Sequence, residues 1–170
     1  MPRLDANIFS NLNGTNGLTI TGLSELAVGI PLSLATGDFN GDGIDDFVIG
    51  VNQISSVYLI LGPLNVTATD SVQLASLIDG TKGFQVISPN THQDYLGYSV
   101  AFVDINGDSK EDLVITAPEA INSSSMTGNL VVIFGASGPY APILDVKTMS
   151  GSLGFIITGA PIDSLGYSVA

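Results

Sequence analysis

Internal repetition constrains this chain more than any other feature of its sequence. The hexapeptide LGYSVA at residues 96–101 recurs at 165–170, a spacing of 69 residues, and a weaker copy, IPLSLA, lies 66 residues earlier at 30–35. The intervening segments keep the same phase, since VYLILG at 57–62 matches LVVIFG at 130–135. A chain with this period is built from stacked copies of one small unit, so its fold follows from the fold of that unit.

Each unit has the pattern of a short antiparallel sheet. Its apolar runs are four to six residues long, rich in Val, Ile and Tyr, and bounded by Gly, Asn, Asp, Ser or Pro, as strands usually are. Four such runs per unit, with almost no helical periodicity, predict one four-stranded antiparallel blade per repeat. The predicted fold class is therefore all-β, of the β-propeller type, with helix only in short connections such as residues 72–77.

The repeat phase divides the chain into four parts. We expect an outer strand of a preceding blade with its connection at 1–29, a first full blade at 30–88, a second at 97–159, and the inner strand of a following blade at 160–170. A closed propeller needs at least four blades. The sequence therefore predicts either part of a larger propeller or a protomer of an oligomeric one.

Two open blade edges are expected on the same grounds. Residues 16–21 and 165–170 belong to incomplete blades, so we expect them to present unpaired strand edges. Such edges favour association between chains. Self-association is therefore an expected property.

Composition narrows the classes of partner. Sixteen acidic residues against four basic ones give a net charge of −12, which argues against nucleic acid and anionic membranes. The absence of Cys excludes disulfides, zinc thiolate sites and thiol catalysis. Apolar runs such as 57–61 and 130–134 are far shorter than the roughly 20 residues that span a bilayer. The first ten residues carry one Arg but no following apolar stretch, so we expect that a secretory signal is either already removed or was never part of this sequence.

Half of the acidic residues lie in two matched segments, residues 38–46 and 104–112. In each, oxygen-bearing side chains occupy positions one, three, five and nine, and position seven offers a backbone carbonyl. Calcium prefers six to eight oxygen ligands, which a tight loop with alternating inward side chains supplies. We predict two calcium ions, the first bound by Asp38, Asn40, Asp42, Asp46 and the carbonyl of Ile44, and the second by Asp104, Asn106, Asp108, Asp112 and the carbonyl of Lys110.

Two other types of loop share part of this pattern. An EF-hand or dockerin loop needs a carboxylate at position twelve and a following helix, but position twelve is Ile49 or Ile115 and both segments continue into strands. Clusters of Asp, Asn and Gly also form plain turns between strands, although two copies in register favour calcium. Position six is Gly43 in one loop and Ser109 in the other, which predicts that the first site is tighter.

These motifs resemble the FG-GAP repeats of integrin α subunits and integrin-like propellers. In that family a Phe-Gly pair opens the repeat and Gly-Ala-Pro closes its second strand. Here Leu96-Gly97 and Leu165-Gly166 stand for the pair and Thr116-Ala117-Pro118 for the triplet, while the first repeat departs further, with Ile30-Pro31 and Gly50-Val51-Asn52 in these places.

The resemblance implies a function in recognition. Calcium would be structural, and the propeller would be a rigid extracellular or cell-surface adhesion platform for a protein, matrix or glycan ligand. Some relatives attach these repeats to hydrolases such as phospholipases, so an accessory propeller of a hydrolase is an alternative. A carbohydrate-binding propeller is another.

The remaining candidates do not form a catalytic set. His92, the single histidine, has no nucleophile or carboxylate partner suggested by its surroundings in sequence, so we expect no enzyme activity within these residues. Tyr98 and Tyr167, and likewise Phe84 and Phe155, recur in register and are expected to pack between blades. Glycosylation sequons begin at Asn13, Asn65 and Asn122.

Overall fold

The computed structural model describes residues 19–22, 32–64, 71–88, 94–122 and 125–170. Within these ranges the regular structure consists of short strands and three single-turn 3-10 helices, at Asn52–Ile54, Leu74–Ser76 and Val146–Thr148. The predicted all-β class with propeller-type blades is confirmed. His92, Asn13 and Asn65 lie outside the described residues, as do Ile30 and Pro31.

Thirteen strands are described, and each is short. In chain order they are β1 (Thr19–Thr21), β2 (Leu32–Gly37), β3 (Asp46–Val51), β4 (Ser56–Ile60), β5 (Ser71–Gln73), β6 (Gly83–Ile87), β7 (Val100–Val103), β8 (Asp112–Ala117), β9 (Ile121–Asn122), β10 (Ser125–Met126), β11 (Asn129–Ile133), β12 (Ile143–Asp145) and β13 (Gly154–Thr158). Strands β9 and β10 form a small antiparallel hairpin.

Two antiparallel sheets correspond to the two repeats. In the first blade β2, β3, β4 and β6 lie side by side, and in the second blade β7, β8, β11 and β13 repeat that order. Matched residues take matched places, because Val48 pairs with Leu59 in the first blade and Val114 with Val132 in the second. The sequence repeat is thus a repeat of backbone register.

The main core lies between the two blades. Side chains on alternate positions of β3 and β4 face the second blade, and the opposite parity of β8 and β11 faces the first, as the strand period of two requires. The largest contributors to this interface, all at most 2% exposed, are Phe39, Leu59, Phe84, Leu96, Leu113 and Ile115. Stacking of blades is therefore where most apolar area is buried, and this burial is the main source of stability.

A close backbone approach brings the second blade onto the first. Gly97 has a left-handed φ of 88°, and a Cβ on it would lie 3.0 Å from the Cα of Gly50. Ser33 Oγ donates a hydrogen bond to the Gly97 carbonyl at 2.8 Å. Only glycine fits both the conformation and the space here, which explains the Leu-Gly pair of the repeat.

Adjacent blades are also joined by short parallel strands, which we call linking strands. Strand β12 lies within the predicted second blade but pairs in parallel with β6 of the first, so the first sheet has five strands. In the same way β5 pairs in parallel with β1. Each repeat therefore extends the outer edge of the repeat before it.

These pairings correct the expectation about open edges. Thr19–Thr21 pairs with β5 on one side, residues 16–18 lie outside the described residues, and residues 165–170 form no strand. They lie against the second blade, where Ser99 Oγ donates to the Val169 carbonyl at 3.3 Å. Among the described fourth strands of the blades, β13 is the one with no strand paired to its outer side. The predicted connection at 72–77 holds the end of β5 and a 3-10 turn.

Candidate calcium loops

The first acidic segment is a tight loop between β2 and β3 whose shape is set by its own carboxylates. Asp38 accepts hydrogen bonds from the backbone N–H groups of Gly41, Asp42 and Gly43 at 2.8 to 3.0 Å. Asp42 accepts from Ile44 N at 2.8 Å. The carboxylates at positions one and five thus fix a tight turn in which successive backbone N–H groups point to the inside of the loop, as Asp and Asn commonly do in turns.

Asp46, at position nine, is buried at the start of β3. It is 0% exposed, and its carboxylate accepts from Phe39 N and Asn40 N on one oxygen and from Gly62 N on the other, at 2.8 to 3.2 Å. Burial outweighs these hydrogen bonds and raises the pKa of Asp46 to about 7. A buried carboxylate of this kind favours a nearby positive charge.

The second loop, between β7 and β8, repeats this arrangement. Asp104 accepts from the N–H groups of Gly107, Asp108 and Ser109 at 2.7 to 3.1 Å, and Asp108 accepts from Lys110 N at 2.9 Å. That last hydrogen bond is the main cause that holds the pKa of Asp108 below its usual value. The two loops share one hydrogen-bond pattern, although their sequences differ at several positions.

Asp112 takes the place of Asp46 in the second loop. It is 0% exposed and accepts from Ile105 N at 2.9 Å and from Gly135 N at 2.8 Å. Gly62 and Gly135 each lie two residues after the matched strands β4 and β11, so each blade closes its loop with a backbone amide just beyond its third strand. The repeat of these two glycines is visible in the sequence, but their contact with the loops is not.

Position six adopts the left-handed backbone in both loops. Gly43 has φ 84° and Ser109 has φ 71°. This conformation costs glycine nothing but strains a residue with a Cβ. The left-handed backbone that the predicted difference in calcium affinity requires is therefore present. The affinities of the two sites remain a prediction.

The two loops contact each other through Glu111, a residue that sequence analysis missed. Glu111 Oε2 accepts from Asp38 N at 2.8 Å, and Glu111 N donates to the Asp38 carbonyl at 3.0 Å. Because Glu111 is the neighbour of Asp112, this pair joins position one of the first loop to position nine of the second. Ser137 Oγ donates to the Asn40 carbonyl at 3.0 Å and adds a second contact between the blades.

The donor set of each loop suits calcium chemically. Its oxygens come from carboxylates, one amide and the backbone, which are hard ligands of the kind that calcium takes. Among the described residues no three acidic or histidine side chains converge into a preformed metal cluster. Among the described residues, one pair of oppositely charged side chains lies within 4.0 Å, and it joins Lys82 to Asp79. The loop carboxylates have no such basic partner, and a bound cation would supply one.

The repeated aromatic residues have two different outcomes. Tyr98 and Tyr167 contact each other edge to face, with ring centroids 5.4 Å apart, so their predicted packing between repeats is confirmed. Phe84 is buried between blades, 5.7 Å from Phe39. Phe155 instead lies 5.9 Å from Phe134 of its own sheet and is 38% exposed.

Comparison with known proteins agrees with the geometry of the repeats. The FG-GAP repeat family matches residues 30–60 and 96–133, which hold the first three strands of each blade and both loops. Integrin alpha-V of Gallus gallus is 42% identical over 86 residues, covering 51% of this chain and 7% of that protein. Integrin alpha pat-2 of Caenorhabditis elegans is 35% identical over 86 residues, covering 51% of this chain and 6% of that protein.

A phospholipase shares a longer stretch at lower identity. Phosphatidylinositol-glycan-specific phospholipase D of Bos taurus is 28% identical over 144 residues, covering 81% of this chain and 15% of that protein. The chain thus spans from 6% to 15% of the length of these three relatives. No helix in the described ranges is long and apolar enough to cross a membrane. The matched repeats and their sheets show that this chain contains two FG-GAP repeats and is integrin α-like over about half of its length.

Proposed function

We propose that the chain is a calcium-binding, integrin-like propeller module that serves as a rigid extracellular or cell-surface platform for recognition. The observation that carries the proposal is the pair of matched loops, each with a fully buried position-nine carboxylate. A buried carboxylate with no basic partner destabilises the fold. Two calcium ions would offset that cost at the place where the blades meet, so their role would be structural.

The ligands we assign are those predicted from sequence, namely Asp38, Asn40, Asp42, Asp46 and the Ile44 carbonyl in one loop, and Asp104, Asn106, Asp108, Asp112 and the Lys110 carbonyl in the other. Each loop keeps carboxylate oxygens that accept a single backbone N–H and so retain a lone pair for a metal, such as Asp38 Oδ2 and Asp46 Oδ1 in the first loop and Asp104 Oδ2 in the second. The hydrogen bonds within the loops are therefore compatible with calcium binding.

Calcium titration by calorimetry, with thermal unfolding as a second readout, tests this assignment. We expect two sites in the unmodified chain and one in each of the variants Asp42→Ala and Asp108→Ala. Asp45→Asn is the matched control, because it removes a carboxylate from the first loop at position eight, which is not a proposed ligand position. Calcium at a hundred times its dissociation constant should stabilise the fold by ~2.7 kcal/mol per site. Unchanged stability in calcium would contradict the proposal.

Recognition of a protein, matrix or glycan ligand follows from the resemblance to integrin α subunits, and we propose that it occurs without turnover. The alternative, an accessory propeller of a hydrolase, is supported by the phospholipase D match, which covers more of this chain than the integrin matches do. Assays of the chain on phosphodiester and glycosidic model substrates separate the two. Hydrolysis that an Asp→Ala change outside both loops abolishes would favour an enzyme.

A further inference from the structure

A cavity of about 340 Å³ lies between the two blades, beside the first calcium loop. Its lining comes from loop residues 40–42, from the turn at Gly80 and Thr81 before β6, and from residues 137–140 of the second repeat, with Leu61 just after β4. The four strands of both blades are described, so the cavity belongs to the junction of two repeats. Its volume falls within the range of small-molecule sites.

Hydrogen bonds between the repeats fix the walls of this cavity. Tyr140 N donates to the Gly80 carbonyl at 2.9 Å, and Ser137 Oγ donates to the Asn40 carbonyl at 3.0 Å. The Tyr140 hydroxyl donates to the carbonyl of Ala136 in the same segment. The segment is thus tied both to the calcium loop and to the turn before β6. Because these contacts form without a ligand, ordering the cavity costs little of the binding free energy.

One side of the cavity is apolar and rigid. The ring centroid of Tyr140 lies 5.0 Å from that of Phe84 and 5.8 Å from that of Phe39, and both phenylalanines are buried between the blades. Leu61 is also buried, and Pro139 adds its ring to the lining. This side suits the C–H surface of a ligand, because a polar group placed there would lose its hydrogen bonds to water.

The polar groups of the cavity are hydrogen-bond acceptors. Asp42 accepts one hydrogen bond on each oxygen, from Ile44 N at 2.8 Å and Asn40 Nδ2 at 2.9 Å, so lone pairs remain for a metal and for a ligand. Thr81 Oγ1 donates its proton to Asp79 at 2.8 Å, so its oxygen is an acceptor toward a ligand. None of the ten described residues in the lining is basic. A ligand that fits is therefore rich in donors and carries no negative charge.

The calcium ion proposed for the same loop decides between a cationic and a neutral ligand. That ion would repel a second cation placed against Asp42, whereas a sugar offers neutral hydroxyl donors together with a C–H face. We propose that the cavity binds one pyranose unit of a glycan, whose hydroxyl groups donate to Asp42 and Thr81 and whose C–H face packs against Leu61 and Tyr140. Binding of this kind rests on the proposed recognition function and makes a glycan the ligand class that the module recognises.

NMR titration of the isotope-labelled full chain with the methyl glycosides of glucose, galactose and mannose tests the proposal. With roughly 13 non-hydrogen atoms, such a ligand of ordinary efficiency has a dissociation constant of about 1 mM. We expect at least one of the three to shift the amide signals of Gly80, Thr81 and Gly138 saturably. Thr81→Val, which removes the hydroxyl acceptor, should weaken binding roughly fivefold. Thr81→Trp, which places a bulky ring at the cavity wall, should abolish binding.

The second repeat supplies a matched control. Ser152 occupies the place of Thr81, two residues before the glycine of the Gly-Phe pair, but it is exposed and outside the cavity. Ser152→Val should therefore bind sugar as the unmodified chain does. Circular dichroism verifies that each variant is folded. Sugar binding that folded Thr81→Val and Thr81→Trp both leave unchanged would place the sugar elsewhere and overturn the proposal.

Calcium calorimetry separates this proposal from the proposed calcium sites. Thr81→Val should still bind two calcium ions, because Thr81 is not a proposed calcium ligand. No shift with any of the three glycosides at ~20 mM, far above the expected dissociation constant, would overturn the sugar site while calcium binding stands. Sugar binding by a chain that binds no calcium would contradict the calcium sites and support the cavity as the place of recognition.

Discussion

Replacing Ser109 by glycine should strengthen the second calcium site and stabilise the chain. Ser109 holds φ 71°, a left-handed conformation that costs a residue with a Cβ ~1–2 kcal/mol. Glycine removes this strain but loses roughly 0.5–1 kcal/mol through the greater freedom of the unfolded chain. With both terms included, the expected gain in the free energy of unfolding is about 0.5–1 kcal/mol.

The effect on affinity depends on when the strain is present. If the loop relaxes from the left-handed conformation without calcium, binding must restore the strain, and ~1.4 kcal/mol corresponds to a tenfold weaker site. We expect the second site to be about tenfold weaker than the first, and Ser109→Gly to close most of that gap. The reciprocal change, Gly43→Ser, should weaken the first site similarly. It adds no clash, because a Cβ at Gly43 would have no atom within 4 Å.

Single-site backgrounds make the measurement clean. Asp42→Ala leaves the second loop to report Ser109→Gly, and Asp108→Ala leaves the first loop to report Gly43→Ser. Calorimetric titration gives each dissociation constant, and urea unfolding with and without chelator gives the stabilities. Equal affinities of the two sites, or no response to Ser109→Gly, would refute the argument. Such a result would mean that the loop keeps its conformation without calcium, so that the strain cancels.

Three other predictions concern the contacts between the loops and blades. Glu111→Gln removes the negative charge that faces Asp38 N. Although Glu111 lies in the second loop, this change should weaken calcium binding to the first loop several-fold, as measured in the Asp108→Ala background. Unchanged calcium affinity of the first site would contradict the coupling between the loops. Burial raises the pKa of Asp46 to about 7, so a proton on this carboxylate competes with calcium. In the same background, calorimetry should show that the first site binds calcium about tenfold more weakly at pH 6 than above pH 8. Without calcium, the raised pKa of Asp46 should make the free energy of unfolding fall as pH rises from ~4 to ~7. A free energy of unfolding that instead rises over this range, measured in the presence of chelator, would contradict this expectation. Phe84→Ala should cost ~3–5 kcal/mol of unfolding free energy and Phe155→Ala clearly less, because the second ring is partly exposed; equal losses in urea unfolding would argue against the difference in packing.

The parts of the fold that were predictable are those that repeat within the sequence. Matched segments such as VYLILG and LVVIFG predict four strands per blade, the order of these strands and the two loops. They do so because strands can be recognised from their own pattern of apolar residues. The loop ligands follow from spacing alone, although calcium itself stays a proposal. The domain boundaries at 30–88 and 97–159 also remain predictions.

The contacts that were missed join residues far apart in the chain. Glu111 and Asp38 are separated by 73 residues, and nothing in the local pattern of either indicates the pairing. The parallel strands β5 and β12 are three residues each, too short for a period to be visible. The open edge was therefore assigned to the ends of the chain, when the geometry places it at β13.

The linking strands also determine the order in which the repeats can complete their folding. The outer strand β6 gains its last neighbour only from β12, whose first residue lies 56 positions after the last residue of β6. During synthesis, each blade would therefore emerge with its four strands before the segment that closes its edge exists. Because each sheet is completed by a strand from the next repeat, folding should proceed from the N-terminal repeat toward the C-terminal one. A released chain that ends at residue 137 should consequently be more accessible to protease at β6 than one that ends at residue 160.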